Sequence, residues 1–212
     1  MTALVIDHLI LATANIEKTV SRLKSDYGLI SVRGGRHAGQ GTGNSIVPIG
    51  DAYIEILGIV DEIEAEASPM GTWLRQQTRN GDCIAGLCLR AGSARFDDIC
   101  ARLDLRSLLM SRDAPNGVTL HWRLAGLAET MGDPSRAFFI DWDVPLEHHP
   151  SRSFVSHQIE PLGFAWVELA GNPEDIQGWV GEKVRGLRTS SAEPRGISAA
   201  IALADGREIL LS

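Results

Sequence analysis

The stretch that decides the fold is Leu4-Val-Ile-Asp-His-Leu-Ile-Leu-Ala-Thr13, which is apolar at nearly every position. A near-continuous apolar run of this kind is typical of a strand that is buried on both faces of a sheet. A second stretch, Ile84-Ala-Gly-Leu-Cys-Leu-Arg-Ala91, can be laid on residues 6–13 without a gap, at an offset of 78 residues. The sequence therefore predicts a repeated unit that opens twice on a buried strand.

The same order of elements follows each of these two strands. After the first, Asn15 is suited to cap a helix over 16–27, and Gly28 is suited to end it. Apolar and alternating runs then predict three more strands, at 29–33, 45–49 and 52–60. After the second, helical spacing near 96–103 is followed by strand patterns at 107–112, 118–124 and 137–142. Each unit is therefore expected to be βαβββ.

We predict three units in one compact globular region of the α+β class. They are a first βαβββ unit over 1–60, a second over 83–143, and a third, partial βαββ unit over 160–212. One unit of about 60 residues buries too little apolar surface to be secure alone. Two units joined edge to edge would form a cupped mixed sheet whose concave face can hold a small molecule.

Two stretches are predicted to be loops. The glycine-dense segment 34–44 is expected to be a hairpin-like connection that carries side chains to the mouth of the cup, and a plain flexible turn is the alternative. It lacks the ending of a phosphate-binding P-loop and the placement that a dinucleotide fingerprint needs. Residues 145–156, with His148 and His149, are expected to form a solvated loop, and a loop that shuts the cup is the alternative.

Composition excludes several classes of partner. The 212 residues carry a formal net charge of −7, which disfavours binding to nucleic-acid phosphates. No stretch approaches the 18 apolar residues that a membrane span needs, so no membrane partner is expected. The three cysteines lack the spacing of a disulfide framework, which argues against a stapled secreted domain. We therefore expect a soluble cytoplasmic protein with a small-molecule ligand.

The order of these motifs resembles a known group of proteins. The sequence is similar to the vicinal oxygen chelate superfamily, which includes glyoxalase I and the extradiol dioxygenases, and more narrowly to the glyoxalase-like domain proteins of bacteria. The resemblance spans about residues 4–170 and is more specific for fold than for chemistry. The segments that carry it are Ile6-Asp7-His8-Leu9-Ile10-Leu11, Gly34-Gly35-Arg36-His37, Gly41-Thr42-Gly43-Asn44, Tyr53-Ile54-Glu55-Ile56 and Phe138-Phe139-Ile140-Asp141-Trp142-Asp143.

This resemblance implies a metal centre in the cup. The superfamily's ligands come from the first and last strands of each unit, which implies His8 and Glu55 from the first unit and Asp141 from the second. Zinc, manganese, iron and nickel are the candidate ions. Gly86, at the position that matches His8, has no side chain to offer. The alternative is that His8 and Glu55 form a hydrogen-bonded pair inside the barrel without a metal.

Further candidate residues surround this centre. Glu55 and His37 are the candidate catalytic residues, because a carboxylate or an imidazole that is not bound to metal can move a proton. Arg123 would pair with an acidic substrate if its strand turns it to the concave face. Trp142 would line an apolar wall of the site, with core packing as the alternative. The candidate substrate-binding residues are Arg36, Thr42, Asn44, Arg123 and Trp142.

Three functions follow from this interpretation and stay open. The leading one is a metal-assisted lyase, isomerase or dioxygenase-type enzyme that polarises vicinal oxygens of a small metabolite. The second is a metal-free protein that sequesters a small ligand in the same cup. The third is a vestigial cup whose outer surface serves pairing of chains. A homodimer also stays open, because three units within one chain could satisfy that pairing internally.

Overall fold

The computed structural model describes residues 3–113 and 119–211 and contains two sheets and six helices in those ranges. The first part of the chain forms β1 (Val5–Ala12), α1 (Ile16–Tyr27), β2 (Val32–His37), β3 (Thr42–Ile49), β4 (Ala52–Ile59), α2 (Glu62–Glu66) and α3 (Pro69–Gln77). The middle part forms β5 (Cys83–Arg90), α4 (Ser93–Leu103), β6 (Leu108–Asp113), β7 (Thr119–Ala125), α5 (Leu127–Gly132) and β8 (Phe138–Trp142). The last part forms β9 (Pro161–Ala170), α6 (Pro173–Val180), β10 (Leu187–Ser190), β11 (Gly196–Leu203) and β12 (Glu208–Leu211).

The first helix begins and ends where its capping residues predict. The Asn15 side chain accepts a hydrogen bond from the backbone N–H of Lys18 at 2.8 Å, which satisfies a donor that the first turn would otherwise leave unpaired. Gly28 takes a left-handed conformation with φ of 69° and donates its N–H to Lys24. A glycine ends the helix there without the steric penalty that a Cβ would bring.

Eight strands form one curled mixed sheet in the order β2-β3-β4-β1-β5-β8-β7-β6. Strand β1 pairs with β4 in parallel and with β5 antiparallel, and β5 pairs with β8 in parallel. Leu9 lies opposite Leu87, its own counterpart at the 78-residue offset, so an approximate two-fold axis passes between them. The edge strands β2 and β6 approach each other, which curls the sheet into a half-barrel and confirms the predicted fold class.

Strand β1 is buried on both faces, as its apolar run predicts. Leu9 faces outward into a core shared with the second sheet, whose strands run in the order β10-β9-β11-β12. Ile10 faces the concave side and packs among residues of both halves of the large sheet. The long apolar run therefore reflects two different cores, one on each face of the same strand.

The prediction of a loop over 34–44 is wrong for most of that segment. Strand β2 continues to His37 and β3 begins at Thr42, so only residues 38–41 connect them. Glycine is required inside β2 because a Cβ on Gly34 would lie 1.8 Å from Oδ1 of Asn44. Glycine in a strand interior often marks such a close approach rather than a turn.

Two helices close the concave face. Helix α3 begins at Pro69 with Ser68 as its cap. Helix α5 is too short for its periodicity to be visible in the sequence. No helix in the described ranges is long and apolar enough to cross a membrane. The three cysteines are not joined in disulfides.

Candidate functional site

The concave face of the large sheet, closed by α3 and α5, encloses a cavity of about 260 Å³. One end of this cavity is polar, and all of its polar groups come from β1 to β4 and the connection between β2 and β3. The other end is apolar and is formed by β6, β7, β8 and α5. The residues of the polar end are His8, His37, Gln40, Asn44 and Glu55.

His8 reaches the cavity from a β-bulge in β1. Ile6 pairs with Leu89 and His8 pairs with Cys88, so Asp7 is an extra residue without a partner in the ladder. The bulge lets two successive side chains meet, which a regular strand would send to opposite faces. Nδ1 of His8 lies 2.7 Å from Oδ1 of Asp7, and both residues are buried.

Asp7 is held by a second histidine from a distant part of the chain. Its Oδ2 lies 3.0 Å from Nε2 of His149, whose Nδ1 lies 2.8 Å from Oγ of Ser151. Nε of Arg90 is a further 3.6 Å from Oδ2. Burial by itself would raise the pKa of Asp7, but hydrogen bonds with His149 and His8 hold that pKa well below its ordinary value. Asp7 is therefore a buried carboxylate that is compensated on both oxygens.

Glu55 lies across the sheet from this pair. Its Oε2 is 3.6 Å from Nε2 of His8, which is longer than a hydrogen bond. Its Oε1 accepts a hydrogen bond from Nδ2 of Asn44 and is 3.8 Å from Nε2 of His37. Oδ1 of Asn44 in turn accepts from the backbone N–H of Gly35 at 2.8 Å. The direct hydrogen-bonded pair of His8 and Glu55, one of the two predicted alternatives, is therefore not formed.

Two more side chains orient the histidines of the polar end. Oγ1 of Thr42 lies 2.9 Å from Nδ1 of His37 and is fully buried, so Thr42 acts on His37 rather than on the cavity. The ring of Tyr53 stacks on the imidazole of His8, with centroids 4.5 Å apart and planes 20° apart. Both histidines are thus fixed with Nε2 near Glu55.

The structure does not bring Asp141 to His8 and Glu55, which corrects the predicted ligand set. Its Oδ2 accepts hydrogen bonds from Arg123 at 2.7 Å and 3.0 Å on the outer face of β8. The register explains the error, because Ile10 pairs with Glu55 whereas Cys88, at the same offset, pairs with Phe138. The counterpart of Glu55 is therefore Phe138. Asp141 is three residues further along, an odd number that turns its side chain to the opposite face.

Two arginines that were expected to bind substrate also lie outside the cavity. Arg123 pairs with Asp141 and with Asp97, the latter at 2.7 Å, on the outer side of the sheet. Arg36 is about half exposed and pairs with Asp61 and Glu64. Alternation along β2 and β7 explains both positions, since His37 and Trp122 take the inward-facing places beside them. Trp142 does line the cavity.

Whether this site can hold a metal depends on the donor atoms that the fold brings together. In the described part of the chain, one group of three such residues comes within 4.8 Å, and it consists of Asp7, His8 and Cys88. Both Asp7 oxygens already face histidines. Burial raises the pKa of Cys88 well above its ordinary value. A metal on this trio would therefore have to displace a hydrogen bond of Asp7 and the proton of the Cys88 thiol.

Sequence reasoning missed Asp7 and His149 as parts of the site. The segment with His149 was expected to be a solvated loop, yet this residue is 2% exposed and reaches back to β1. No local pattern announces a contact between residues 142 positions apart. The one available signal was the adjacent Asp7-His8 pair inside an apolar strand, since buried charges are normally paired.

Comparison with known proteins identifies the family. The model of the glyoxalase-like domain matches residues 6–184, and the chain belongs to this family, as the resemblance predicted. A solved structure of a hypothetical protein from Staphylococcus aureus matches over 99% of both chains, with a TM-score of 0.71 at 15% identity.

Methylmalonyl-CoA epimerases are similar over a smaller part of this chain. The Streptomyces coelicolor enzyme covers 66% of this chain and 97% of its own (TM-score 0.47, 19% identity). The match with the Mycobacterium tuberculosis enzyme covers 68% of this chain and 94% of that one, with a TM-score of 0.47 at 20% identity. No curated protein matches the sequence.

Proposed function

We propose that this member of the glyoxalase-like domain family binds a small oxygen-bearing molecule in the cavity and moves a proton on it, as an isomerase or a lyase does. The groups that would carry the proton are His8 and Glu55. The observation that carries this proposal is the arrangement of Asp7, His8 and Glu55, in which a buried carboxylate holds one nitrogen of an imidazole and leaves the other at the cavity.

The protonation states follow from the contacts of His8. Asp7 is a carboxylate and can only accept, so Nδ1 of His8 carries the proton of their hydrogen bond. Nε2 then presents a lone pair toward the cavity and Glu55. A proton taken up at Nε2 would lie between the carboxylates of Asp7 and Glu55, so His8 is placed to act as the base.

The proposed step conserves atoms without another reactant. A proton leaves the carbon next to a carbonyl group and bonds to Nε2 of His8, while the electron pair of the C–H bond moves toward the carbonyl oxygen. His8 then returns that proton to the substrate at the same or the neighbouring carbon, either directly or by way of Glu55, which accepts it from Nε2 and releases it again. Asn44 and Gln40 supply amide groups at the polar end for the substrate oxygen, and Thr42 contributes by orienting His37.

The test follows exchange of hydrogen for deuterium in 4-phenyl-2-butanone by proton NMR in D₂O. The protein should accelerate loss of the signals beside the carbonyl group, and His8→Gln should reduce that rate by about 100-fold or more. Glu55→Gln should reduce it as well. His121→Gln is the matched control, because His121 is exposed on β7 and does not line the cavity. Equal rates for His8→Gln and the parent protein would remove the proposal.

A second candidate is a metal-assisted reaction, which one distance favours. Two ligands at about 2.1 Å from one tetrahedral ion lie roughly 3.4 Å apart, close to the 3.6 Å between Nε2 of His8 and Oε2 of Glu55. His37 is a further imidazole beside Glu55, with its Nε2 3.8 Å from Oε1, and a bound ion would supply Lewis-acid polarisation of substrate oxygens. Calorimetric titration with zinc, manganese, iron(II) and nickel tests it. Stoichiometric binding that both His8→Gln and Glu55→Gln abolish supports this candidate, and binding that neither variant changes rejects it.

A further inference from the structure

We infer that the cavity selects uncharged amphipathic molecules, of the class of aliphatic or aryl ketones and aldehydes, and excludes carboxylates and phosphates. The inference rests on the proposed function, because it names the class of substrate for the same cavity. Its polar head would lie at His8 and Glu55, and its apolar body would lie against the second half of the sheet. Three observations support it, concerning the opposite wall, the charges and the size.

The wall opposite the polar end is apolar at the positions equivalent to five polar residues of the first half. The pairing registers of the two halves correspond, as Ile10 with Glu55 and Cys88 with Phe138 show. Following those registers outward assigns a counterpart to each of these five residues. Asp7 corresponds to Ala85, His8 to Gly86, Glu55 to Phe138, Asn44 to Leu124 and His37 to Met110.

The apolar end is also widened beyond these counterparts. Trp122 and Ile140 line it from β7 and β8, and Leu127 and Met131 line it from α5. The described side chains of this end offer a second polar group no oxygen, and no nitrogen other than the indole N–H groups of Trp122 and Trp142, so burying that group here is costly. A ligand with one polar end and one apolar end satisfies both walls.

The charges around the cavity disfavour an anion. No lysine or arginine of the described residues lines it, while Glu55 does. The nearby basic side chains are already used elsewhere: Arg90 faces Asp7, Arg123 pairs with Asp141, and Arg36 pairs with Asp61. A buried anionic ligand would therefore meet the Glu55 carboxylate and no lysine or arginine among the lining residues that the structure describes.

The cavity also limits the size of the ligand. Its volume of about 260 Å³ lies just below the range of roughly 300–1,000 Å³ that is usual for drug-sized ligands. A phenyl ring with a short chain is of suitable size, and a molecule with a large polar carrier group would have to extend outside. Small probes that share a phenyl ring on a short alkyl chain and differ in the charge of the polar group fit this volume.

The experiment compares 4-phenyl-2-butanone, 4-phenylbutanoate and 4-phenylbutylammonium by calorimetry at pH 7, with tryptophan fluorescence as a second signal from Trp122 and Trp142. The ketone should bind at least 10-fold more tightly than the carboxylate. Glu55→Gln should narrow that ratio to less than 3-fold by improving carboxylate binding. Lengthening the ketone chain by one methylene should improve its affinity by up to about fourfold, a measurement that needs no variant.

A pair of variants tests the apolar wall. Leu124→Asn introduces the polar group of the first half at its counterpart and should weaken ketone binding by about 10-fold or more. Leu109→Asn is the matched control, because Leu109 is 78% exposed on the neighbouring strand β6. Thermal melting establishes whether each variant is folded, and the chain-length series decides the question if Leu124→Asn is not.

The results separate this inference from the proposed function. Selection among the three probes should persist in His8→Gln, which removes the proposed proton carrier but leaves the apolar wall and Glu55. Selection without any hydrogen exchange would reject the reaction and keep the ligand class. Carboxylate binding as tight as ketone binding, tighter binding of the ammonium probe, or no binding of any probe to folded protein would each overturn the inference.

Discussion

The two halves of the large sheet share one backbone and differ in chemistry. Both contain a strand with a bulge at the same place, since Asp7 and Ala85 are the extra residues of β1 and β5 at an offset of 78 residues. In the first half the bulge presents a carboxylate to an imidazole. In the second half it presents a methyl group beside a glycine. The fold therefore repeats the geometry of a site and equips only one copy with polar groups.

The cost of burying charge explains why one polar copy is enough. A second set of the same residues would place two more carboxylates and two more imidazoles around a cavity of about 260 Å³. Each buried ion needs a partner of opposite charge or several hydrogen bonds. The set in the first half is compensated by Asn44 of the same half, by Arg90 of β5 and by His149, which follows β8. The second half provides apolar surface, which a ligand can contact without such compensation.

The largest effect on stability is expected when a residue of the second half is replaced by its counterpart from the first half. Leu124→Asn puts the Asn44 side chain on the apolar wall, where it loses packing and gains an amide without an evident partner. We expect a loss of about 4 kcal/mol in the free energy of unfolding, from the lost apolar contacts and the unpaired amide together. Urea unfolding followed by circular dichroism measures it.

The reverse exchange and an exposed control complete this prediction. Asn44→Leu leaves Glu55 and the Gly35 N–H without their amide partner and should cost about 2 kcal/mol. Leu109→Asn should change stability by less than about 0.5 kcal/mol, because that side chain is exposed. A Leu124→Asn protein as stable as the Leu109→Asn protein would show that the two halves are not chemically distinct in the folded state.

Asp7→Asn removes the carboxylate that distinguishes one bulge from the other. Asparagine keeps one acceptor oxygen and turns an NH2 group to the other histidine in a fully buried place, so we expect a loss of about 3 kcal/mol in the free energy of unfolding at pH 6. The pKa of Asp7 is lowered in the folded state. The stabilisation of the fold by the Asp7 carboxylate is therefore complete above the pKa of this residue in the unfolded chain, near 3.9. That stabilisation declines as the pH falls below this value.

The measurement is urea unfolding of the parent protein and Asp7→Asn at pH 6 and at pH 3. The difference in the free energy of unfolding between the two proteins should be smaller at pH 3. At that pH the parent has lost part of the stabilisation by the Asp7 carboxylate, which the variant lacks at every pH. Ala85→Asn is the control, because it places an amide side chain on the corresponding bulge of β5 and so measures the effect of the amide alone on stability. A difference that is equal or larger at pH 3 would contradict the lowered pKa of Asp7.

The sequence predicted the fold more completely than the site. The apolar run of β1 and its repeat at β5 depend on local composition, and their offset of 78 residues is the register that the structure has. The caps Asn15 and Gly28 are also local and are confirmed. By contrast, the contact of His149 with Asp7 depends on how the chain returns after β8, and no local pattern encodes it.

The glycine-dense segment and Asp141 show two other ways in which a local pattern fails. Gly34 was taken as a sign of a turn, and it is instead a strand position where Asn44 needs space. For Asp141, matching letters in β4 and β8 gave an alignment three residues away from the pairing that the sheet adopts. Because side chains alternate in a strand, a small error in register reverses the face on which a residue acts.

Asp141→Asn is the smallest of the expected effects and decides whether that register matters for function. Asp141 is bonded to Arg123 and, at 3.3 Å, to Ser93 on the outer face, and the Arg123 side chain is 30% exposed. We expect a loss of only about 1 kcal/mol in stability, since partly solvated pairs contribute little. Binding of 4-phenyl-2-butanone should stay within twofold of the parent protein, and Glu55→Gln is the variant that should alter probe selection. If Asp141→Asn instead abolished ligand or metal binding, Asp141 would have to turn inward, and the second half would be a working copy of the polar site rather than its apolar counterpart.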